Sequence, residues 1–328
     1  MKASTSSSAV NALEDAATNA SKGKRPQIKA AANSMPLSNV SYVYDGTTEG
    51  LLSAIFLAYA NHEQPQDMVR NGDIQPRLGQ SIVSVETNAQ HAERVRRGIV
   101  RKSNQKTWEI IFDASLSDEP HAGTAIYRLV RLIMARPAIQ NRQLNDQLTD
   151  PVVGPVIKLH RFVRNERHFM QQFIRFEHFE GDLWFARCNP KANVVPLLMD
   201  WFSARFNTQC FVIHDEIHHI AGIYDGKGWY LAETNDVHLP SPADDEQTMQ
   251  AAWKGFYSAL SIPARYHPEL RRQFMPKRFW KNILEVRDEA PSAGTGRNLS
   301  QPKQRVLPSA NAANRIASSN GPQLKPQH

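Results

Sequence analysis

KLHRFVRNERHFMQQFIR, residues 158–175, is the stretch that decides the fold. Read at helical period, large apolar side chains recur along one stripe, and cationic or amide side chains recur along another. The apolar stripe comprises Leu159, Phe162, Phe169, Met170 and Phe173; the basic stripe comprises His160, Arg164, Arg167, His168, Gln171 and Arg175. The spacing predicts one helix, starting near Val152, that buries one side and presents guanidinium and imidazole groups on the other.

Glu166 is the one acid of this run, and it falls where the apolar stripe passes. An isolated buried carboxylate is very costly, so we expect an arginine or histidine to lie beside Glu166 in space. Arginines at helical spacing with few acids suit phosphate, because the guanidinium fork binds oxygens bidentately. The alternative is a basic face that is simply solvated.

A second basic run, RYHPELRRQFMPKRFWK, covers residues 265–281. It interleaves six cationic side chains with four aromatic rings, and Glu269 is its single acid. Cations beside flat rings are the composition used for single-stranded or flipped bases, since charge follows the backbone and rings stack. In the alternative, Phe274, Phe279 and Trp280 anchor a terminal helix to the core, and only the cations are exposed.

We expect the two basic runs to lie on one continuous surface that binds nucleic acid. Tyr266 is a further residue available for stacking. The candidate nucleic-acid-binding residues are Arg161, Arg164, Arg167, His168, Arg271, Arg272, Lys277, Arg278 and Trp280.

The net charge of +7 lies in the two ends of the chain, so residues 40–286 are net neutral. Residues 1–39 and 287–328 are low-complexity and poor in large apolar groups, so they cannot repay the entropy of ordering. We predict disordered basic tails at 1–39 and 287–328, and one folded unit at 40–286. A basic patch on that unit must come from local segregation of charge.

Mixed helices and hairpin-connected strands predict an α+β fold with several packed helices rather than a doubly wound sheet. In the first half, strands are expected at 40–44 and 81–86, with helices from Thr47 or Thr48, from Asn88, and within 106–135. In the second half, a hairpin at 174–189 precedes a helix at 194–206. An antiparallel meander at 210–234 follows, and further helices are expected at 244–260 and 268–274.

His214, His218 and His219 cluster around Asp215 and Glu216. Histidine–carboxylate sets can bind metal or transfer protons. Alternate strand residues face opposite ways, however, so His218 and His219 cannot both point inward. A turn-rich hairpin is the favoured interpretation, and no metal or cofactor is predicted.

Two cysteines, Cys188 and Cys210, lie in apolar strand-like runs, which predicts buried reduced thiols rather than a disulfide framework. No run approaches the roughly 18 apolar residues of a membrane span, so no membrane association is expected. The first residues lack the apolar core of a signal peptide, and we therefore expect a cytoplasmic location.

Five segments together resemble a bacterial family named "probable DNA metabolism protein", a domain of unknown function. They are YDGTTEGLLSAIF (44–56), LHRFVRNERHFMQQFIRF (159–176), FVIHD (211–215), GIYDGKGW (222–229) and LRRQFMPKRFW (270–280). The resemblance implies a link to DNA repair and association with a radical S-adenosylmethionine (SAM) protein carrying an iron–sulfur cluster. Some relatives are fused to uracil-DNA glycosylase. The chain's two cysteines are fewer than the three that the radical enzyme's cluster requires.

Three functional hypotheses follow. The first is a DNA metabolism or repair accessory protein that binds nucleic acid for the radical SAM enzyme. The second is a hydrolase acting on nucleic acid or nucleotide, with catalytic candidates His160, Glu166, His168, His214 and Asp215. The third is a protein–protein scaffold whose basic helices face a partner. Phosphate contacts lose affinity steeply with salt, which separates the first hypothesis from the third.

Overall fold

The computed structural model describes residues 38–287 of the 328-residue chain, apart from residues 76, 235 and 236. The tails predicted at 1–39 and 287–328 lie outside the described residues except at their inner ends. In the described part of the chain, no helix combines the length and the apolar character needed to cross a membrane.

The first half is built on a small parallel sheet with strand order β2-β1-β3. Its strands are β1 (Ser38–Tyr44), β2 (Pro65–Arg70) and β3 (Ser81–Ser84). Its helices are α1 (Thr48–Ala60), α2 (Ala89–Lys102), α3 (Gln105–Ser115) and α4 (Ala122–Ala135). Side-chain caps start three of these helices, because Thr47, Asn88 and Asn104 accept hydrogen bonds from first-turn backbone N–H groups.

The second half is built on a five-stranded sheet in which the strands follow one another in chain order. They are β4 (Glu177–Phe179), β5 (Leu183–Cys188), β6 (Cys210–Asp215), β7 (Ile220–Tyr224) and β8 (Trp229–Glu233). The β5–β6 pair is parallel and the other pairs are antiparallel. The β4–β5 hairpin closes through Gly181 and Asp182, whose φ values of 81° and 57° are those of a tight hairpin turn.

Short helical segments follow α4, and longer ones complete the chain. They are α5 (Ala138–Asn141), α6 (Val153–Phe173), α7 (Val195–Arg205), α8 (Glu246–Leu260) and α9 (Pro268–Phe274), with 3-10 turns at Leu144–Asp146, Pro263–Arg265 and Lys277–Asn282. The helix α7 lies between β5 and β6 in the chain and packs on the second sheet.

The helix α6 joins the two hydrophobic cores. Val153, Val156 and Ile157 in its first turns belong to the core of the first half. Val163 and Met170 farther along belong to the core of the second half. Most of the run at residues 158–175 thus lies in the helix that the two halves share, and the α+β fold with packed helices is confirmed.

Two details of the predicted fold were wrong. The strand β2 was not predicted, because its sequence PQDMVR contains a proline and two charged residues. Its Arg70 can be buried because its guanidinium donates hydrogen bonds to Asp73 and Asp118. Cys210 is exposed, whereas Cys188 is buried. Successive side chains of a strand point to opposite faces, and in β6 the residues Phe211, Ile213 and Asp215 point to the covered face. Cys210 therefore points to the other face and is exposed.

The two thiols should therefore react differently. Burial raises the pKa of the Cys188 thiol well above its usual range, so Cys188 has neither access nor thiolate character. We expect a thiol-specific reagent to label Cys210 in the native protein and to reach Cys188 only after unfolding, as peptide mass mapping would show. Rapid labelling of both thiols in the native protein would contradict this arrangement.

Candidate functional site

The buried acid of α6 is held by the second basic run. Glu166 is 4% exposed, and the Arg278 guanidinium donates to both of its carboxylate oxygens, at 2.6 and 2.9 Å. The backbone N–H of Lys191 donates to the same carboxylate at 3.0 Å. The predicted pairing of Glu166 with a cation is confirmed, and it comes from a residue 112 positions away in the chain.

Aromatic packing joins the same two segments. The Phe279 ring lies with its centroid 5.8 Å from that of Phe169 and 5.2 Å from that of Phe173. Trp280 beside it is 3% exposed, and its Nε1–H donates to the backbone oxygen of Met275 at 3.0 Å. The second basic run therefore packs two of its four rings, Phe279 and Trp280, into the core of the second half, whereas Tyr266 and Phe274 are exposed.

These contacts bear on three candidate roles. Trp280 was a candidate for stacking on a base, with a core anchor as the alternative, and its ring is 3% exposed, as the alternative requires. Arg278 was expected to bind phosphate, but its guanidinium is occupied by Glu166. Glu166 was a candidate general base, and its buried carboxylate is held by the Arg278 guanidinium and the Lys191 backbone N–H.

Arg271 and Lys277 lie over the buried indole of Trp280. The Arg271 guanidinium carbon is 4.8 Å from the ring centroid, and the Lys277 Nζ is 5.8 Å from it. Arg271 also lies 5.6 Å from the centroid of the exposed Tyr266 ring. Arg272 is exposed and lies 3.5 Å from Glu269. Arg272 and Lys277 are exposed, and Arg271 is half-buried. The buried Trp280 ring lies beneath both Arg271 and Lys277 and fixes their position.

The exposed basic side chains of α6 lie on another side of the helix. Arg161, Arg164 and His168 are all exposed. Glu166, Phe169 and Phe173 form the side of α6 that contacts the second basic run. At about 100° per residue, the three exposed side chains lie roughly 110–170° around the helix axis from that side. The two runs are thus in contact, but the contact runs through Glu166 and the phenylalanines rather than through exposed cations.

We call the side of α6 that carries Arg161, Arg164 and His168 its exposed flank. Few charged partners lie beside it among the described residues. Arg164 Nη1 lies 3.8 Å from Asp113 Oδ2, and His160 Nδ1 lies 3.0 Å from the same oxygen. Arg167 is half-buried; burial lowers the pKa of its guanidinium, and the neighbouring Arg164 lowers it further. His160 is therefore a neighbour of a buried carboxylate, whereas His168 contacts only Gln172, at 2.9 Å, among described side chains.

A buried ion network was not foreseen from the sequence. His218 donates through Nδ1 to Asp215, and its Nε2 lies 2.8 Å from Asp118 Oδ2. Asp118 is also bound by Arg70, whose Nη1 donates to Asp118 Oδ1 at 3.0 Å. Arg70 Nε donates to Asp73 at 2.9 Å. The network therefore ties the β6–β7 turn to the connection between α3 and α4 and to the end of β2.

His218 is the centre of this network and is charged at neutral pH. Burial lowers its pKa, but the hydrogen bonds and charges of Asp118 and Asp215 more than offset burial and raise the pKa to about 9. Both ring nitrogens are engaged, so the imidazolium has no free site to exchange a proton with a substrate. We interpret His218 as a structural clamp.

Two catalytic candidates, His214 and Asp215, are the last residues of strand β6, just before this turn. Asp215 is fully buried, and it accepts from the backbone N–H groups of Ile217 and His218 as well as from the His218 ring. These three hydrogen bonds give Asp215 a structural part in the β6–β7 turn. His214 is half-buried on β6, and burial lowers the pKa of its imidazole. Its Nε2 has no hydrogen-bond partner among the described residues.

A cavity of about 630 Å³ lies beside the far end of the network. Asp73, which binds Arg70, lines it together with Asp67, Arg77 and His121. Arg77 Nη2 lies 3.4 Å from Asp67 Oδ2, so the two charges offset each other. None of the predicted catalytic residues lines this cavity.

Comparison with known proteins places the second half of this architecture in a family. A family model described as a domain of unknown function, DUF4130, matches residues 120–285. The matched segment includes α6, the five-stranded sheet, the His218–Asp215 pair and both basic runs. A search of curated proteins found no match. Because the family model covers half of the chain, the protein belongs to the DUF4130 family of domains of unknown function.

Proposed function

We propose that this protein is a DNA metabolism or repair accessory protein that binds nucleic acid through the exposed flank of α6. The resemblance of its segments to the "probable DNA metabolism protein" family suggests the role, and the charge distribution on α6 supports it. The same resemblance suggests a radical SAM enzyme with an iron–sulfur cluster as the partner that acts on the bound DNA.

One observation carries the proposal. Glu166 is the only acid of α6, and it is buried against Arg278, so the exposed surface of the helix carries no negative charge. Arg161, Arg164 and His168 project from that surface together with the exposed Lys158. Such segregation provides a basic patch on a folded unit that is net neutral from 40 to 286.

The spacing of these basic side chains suits a phosphate backbone. From Arg161 to His168 the helix rises about 10 Å, which is about three base-pair steps of 3.4 Å. Arg161 has no carboxylate partner among the described residues, so its guanidinium fork is available to bind phosphate oxygens bidentately. Contacts of this kind position nucleic acid without reading its sequence.

Fluorescence anisotropy with labelled single-stranded and duplex DNA tests the proposal. We expect binding of both forms that weakens steeply as salt is raised, because each phosphate contact releases counterions. Arg161→Gln should weaken binding by a similar factor for every sequence. Lys227→Gln, on the exposed β7–β8 turn, is the matched control and should leave affinity unchanged. Binding that is absent, or that is insensitive to Arg161→Gln, would contradict the proposal.

A further inference from the structure

The cavity of about 630 Å³ beside β2 is lined by two polar side chains that lack hydrogen-bond partners among the described residues. Ser41 is 2% exposed, and its hydroxyl makes no hydrogen bond with a described residue. Asp67 has a side chain that is 19% exposed, and its carboxylate accepts no hydrogen bond from a described residue. Buried polar groups are almost always hydrogen-bonded, so we expect a partner for both groups within the cavity.

The strand register places these two groups side by side. Ser41 of β1 and Asp67 of β2 are direct partners in the parallel pair, so their side chains point to the same face of the sheet. Arg77 leaves the Asp67 carboxylate available, because Arg77 Nη2 is 3.4 Å from it and Nη1 donates to Gln66 at 3.0 Å. The Arg77 side chain is also 62% exposed, and an ion pair screened in this way by water contributes little.

The charges around the cavity indicate which chemical group would fit. Asp73, on the loop after β2, adds a second carboxylate, and a hydrogen bond from Arg70 Nε at 2.9 Å fixes its position. Among the described lining residues, two carboxylates are therefore present with one guanidinium, that of Arg77. Ionised carboxylates only accept hydrogen bonds, so this lining disfavours an anion and favours a cation that carries hydrogen-bond donors.

The size of the cavity and its apolar walls indicate the rest of the ligand. Its volume of about 630 Å³ lies within the range of about 300–1,000 Å³ that small-molecule sites occupy. Val69, Ile74 and Pro120 also line it, and they provide apolar contacts for a short carbon chain.

We propose that this cavity binds a small organic cation through an ammonium or guanidinium group. The group donates to the Asp67 carboxylate and to the Ser41 hydroxyl oxygen, and both buried groups are then satisfied. None of the described lining residues belongs to α6 or to the second basic run. The site is therefore separate from the flank proposed to bind DNA, and either proposal can fail without the other.

Titration calorimetry on the full-length chain tests this proposal with putrescine, a diamine, and with agmatine, which carries an ammonium and a guanidinium group. We expect saturable binding of at least one of these amines, and no binding of succinate, a dianion of similar length. Asp67→Asn should weaken binding roughly tenfold or more, because charge-assisted hydrogen bonds are lost. Ser41→Ala should weaken it severalfold. Ser81→Ala, at an exposed position of β3 on the opposite face of the sheet, is the matched control and should bind like wild type.

Three results would overturn the proposal. Neither amine could bind the wild-type protein, which would leave the cavity to water. Succinate could bind as tightly as the amines, which would show that the lining does not select a cation. The amines could bind Asp67→Asn and Ser41→Ala with wild-type affinity, which would place them elsewhere on the chain. Circular dichroism on each variant verifies that the fold is retained, and because the two substitutions are made separately, either one alone tests the site.

Discussion

Replacing Arg278 with alanine is expected to lower the free energy of unfolding by about 3–5 kcal/mol, the range observed when one member of a buried ion pair is removed. The reason is the carboxylate left behind. Glu166 is 4% exposed, and after the substitution only the Lys191 backbone N–H would still donate to it among the contacts described above. Denaturant unfolding of the variant against wild type measures the loss.

Two comparisons make the result specific to the pair. Arg272→Ala removes an arginine from an exposed pair with Glu269 in the same run, and it should cost less than about 1 kcal/mol. Replacing both Glu166 and Arg278 with methionine should recover much of the stability, since no unpaired charge remains buried. A cost for Arg278→Ala no larger than for Arg272→Ala would show that the pair does not join the second basic run to α6.

His218→Asn is expected to change how stability depends on pH. The pKa of His218 is about 9 in the folded protein and about 6.5 in an unfolded chain, so folding favours the protonated ring. The associated stabilisation is fully present below about pH 6.5 and is lost as pH rises through about 9. The difference of pKa corresponds to about 3 kcal/mol, which the wild type should lose over this window and the variant should not.

His219→Asn provides the matched control. His219 adjoins His218 and has a φ of 54°, a backbone conformation that asparagine tolerates. Its ring makes no hydrogen bond with described residues comparable to those of His218. The His219→Asn variant should keep the wild-type fall in stability with rising pH. Equal pH profiles for wild type and His218→Asn would remove the clamp interpretation.

Local sequence signals predicted local structure well. Helix starts were predicted at Thr47 or Thr48 and at Asn88, and Thr47 and Asn88 accept hydrogen bonds from the first turns of α1 and α2. The tight turn at Gly181 and Asp182 and the antiparallel β6–β7–β8 meander were also predicted. These features depend on neighbouring residues, so a single sequence contains the information that specifies them.

For contacts between residues distant in sequence, the type of partner could be predicted but not the residue that supplies it. A cation beside Glu166 was expected from the cost of burying a carboxylate, but the sequence did not show that Arg278 supplies it. His218 and Asp118 lie 100 positions apart, and no periodicity relates them. The one signal for this clamp is Asp215, three residues before His218, which closes the β6–β7 turn through hydrogen bonds to Ile217 and His218.

The burial of Trp280 shows why composition alone misassigned a stacking residue. Aromatic rings among cations are typical both of a surface that binds bases and of a segment whose rings pack into the core while its cations remain at the surface. Only the packing of Phe279 against Phe169 and Phe173 decides between the two, and it places Trp280 in the core. The exposed cations and the exposed Tyr266 ring remain the nucleic-acid candidates.

The salt dependence of DNA affinity, compared between wild type and a variant carrying Arg161→Gln and Arg164→Gln, tests the central claim most directly. If the exposed flank of α6 binds phosphate, the logarithm of affinity will fall linearly with the logarithm of salt concentration in the wild type. The variant's slope will be shallower by about two units, one for each lost contact. Identical slopes for the two proteins would contradict the claim that this flank binds nucleic acid.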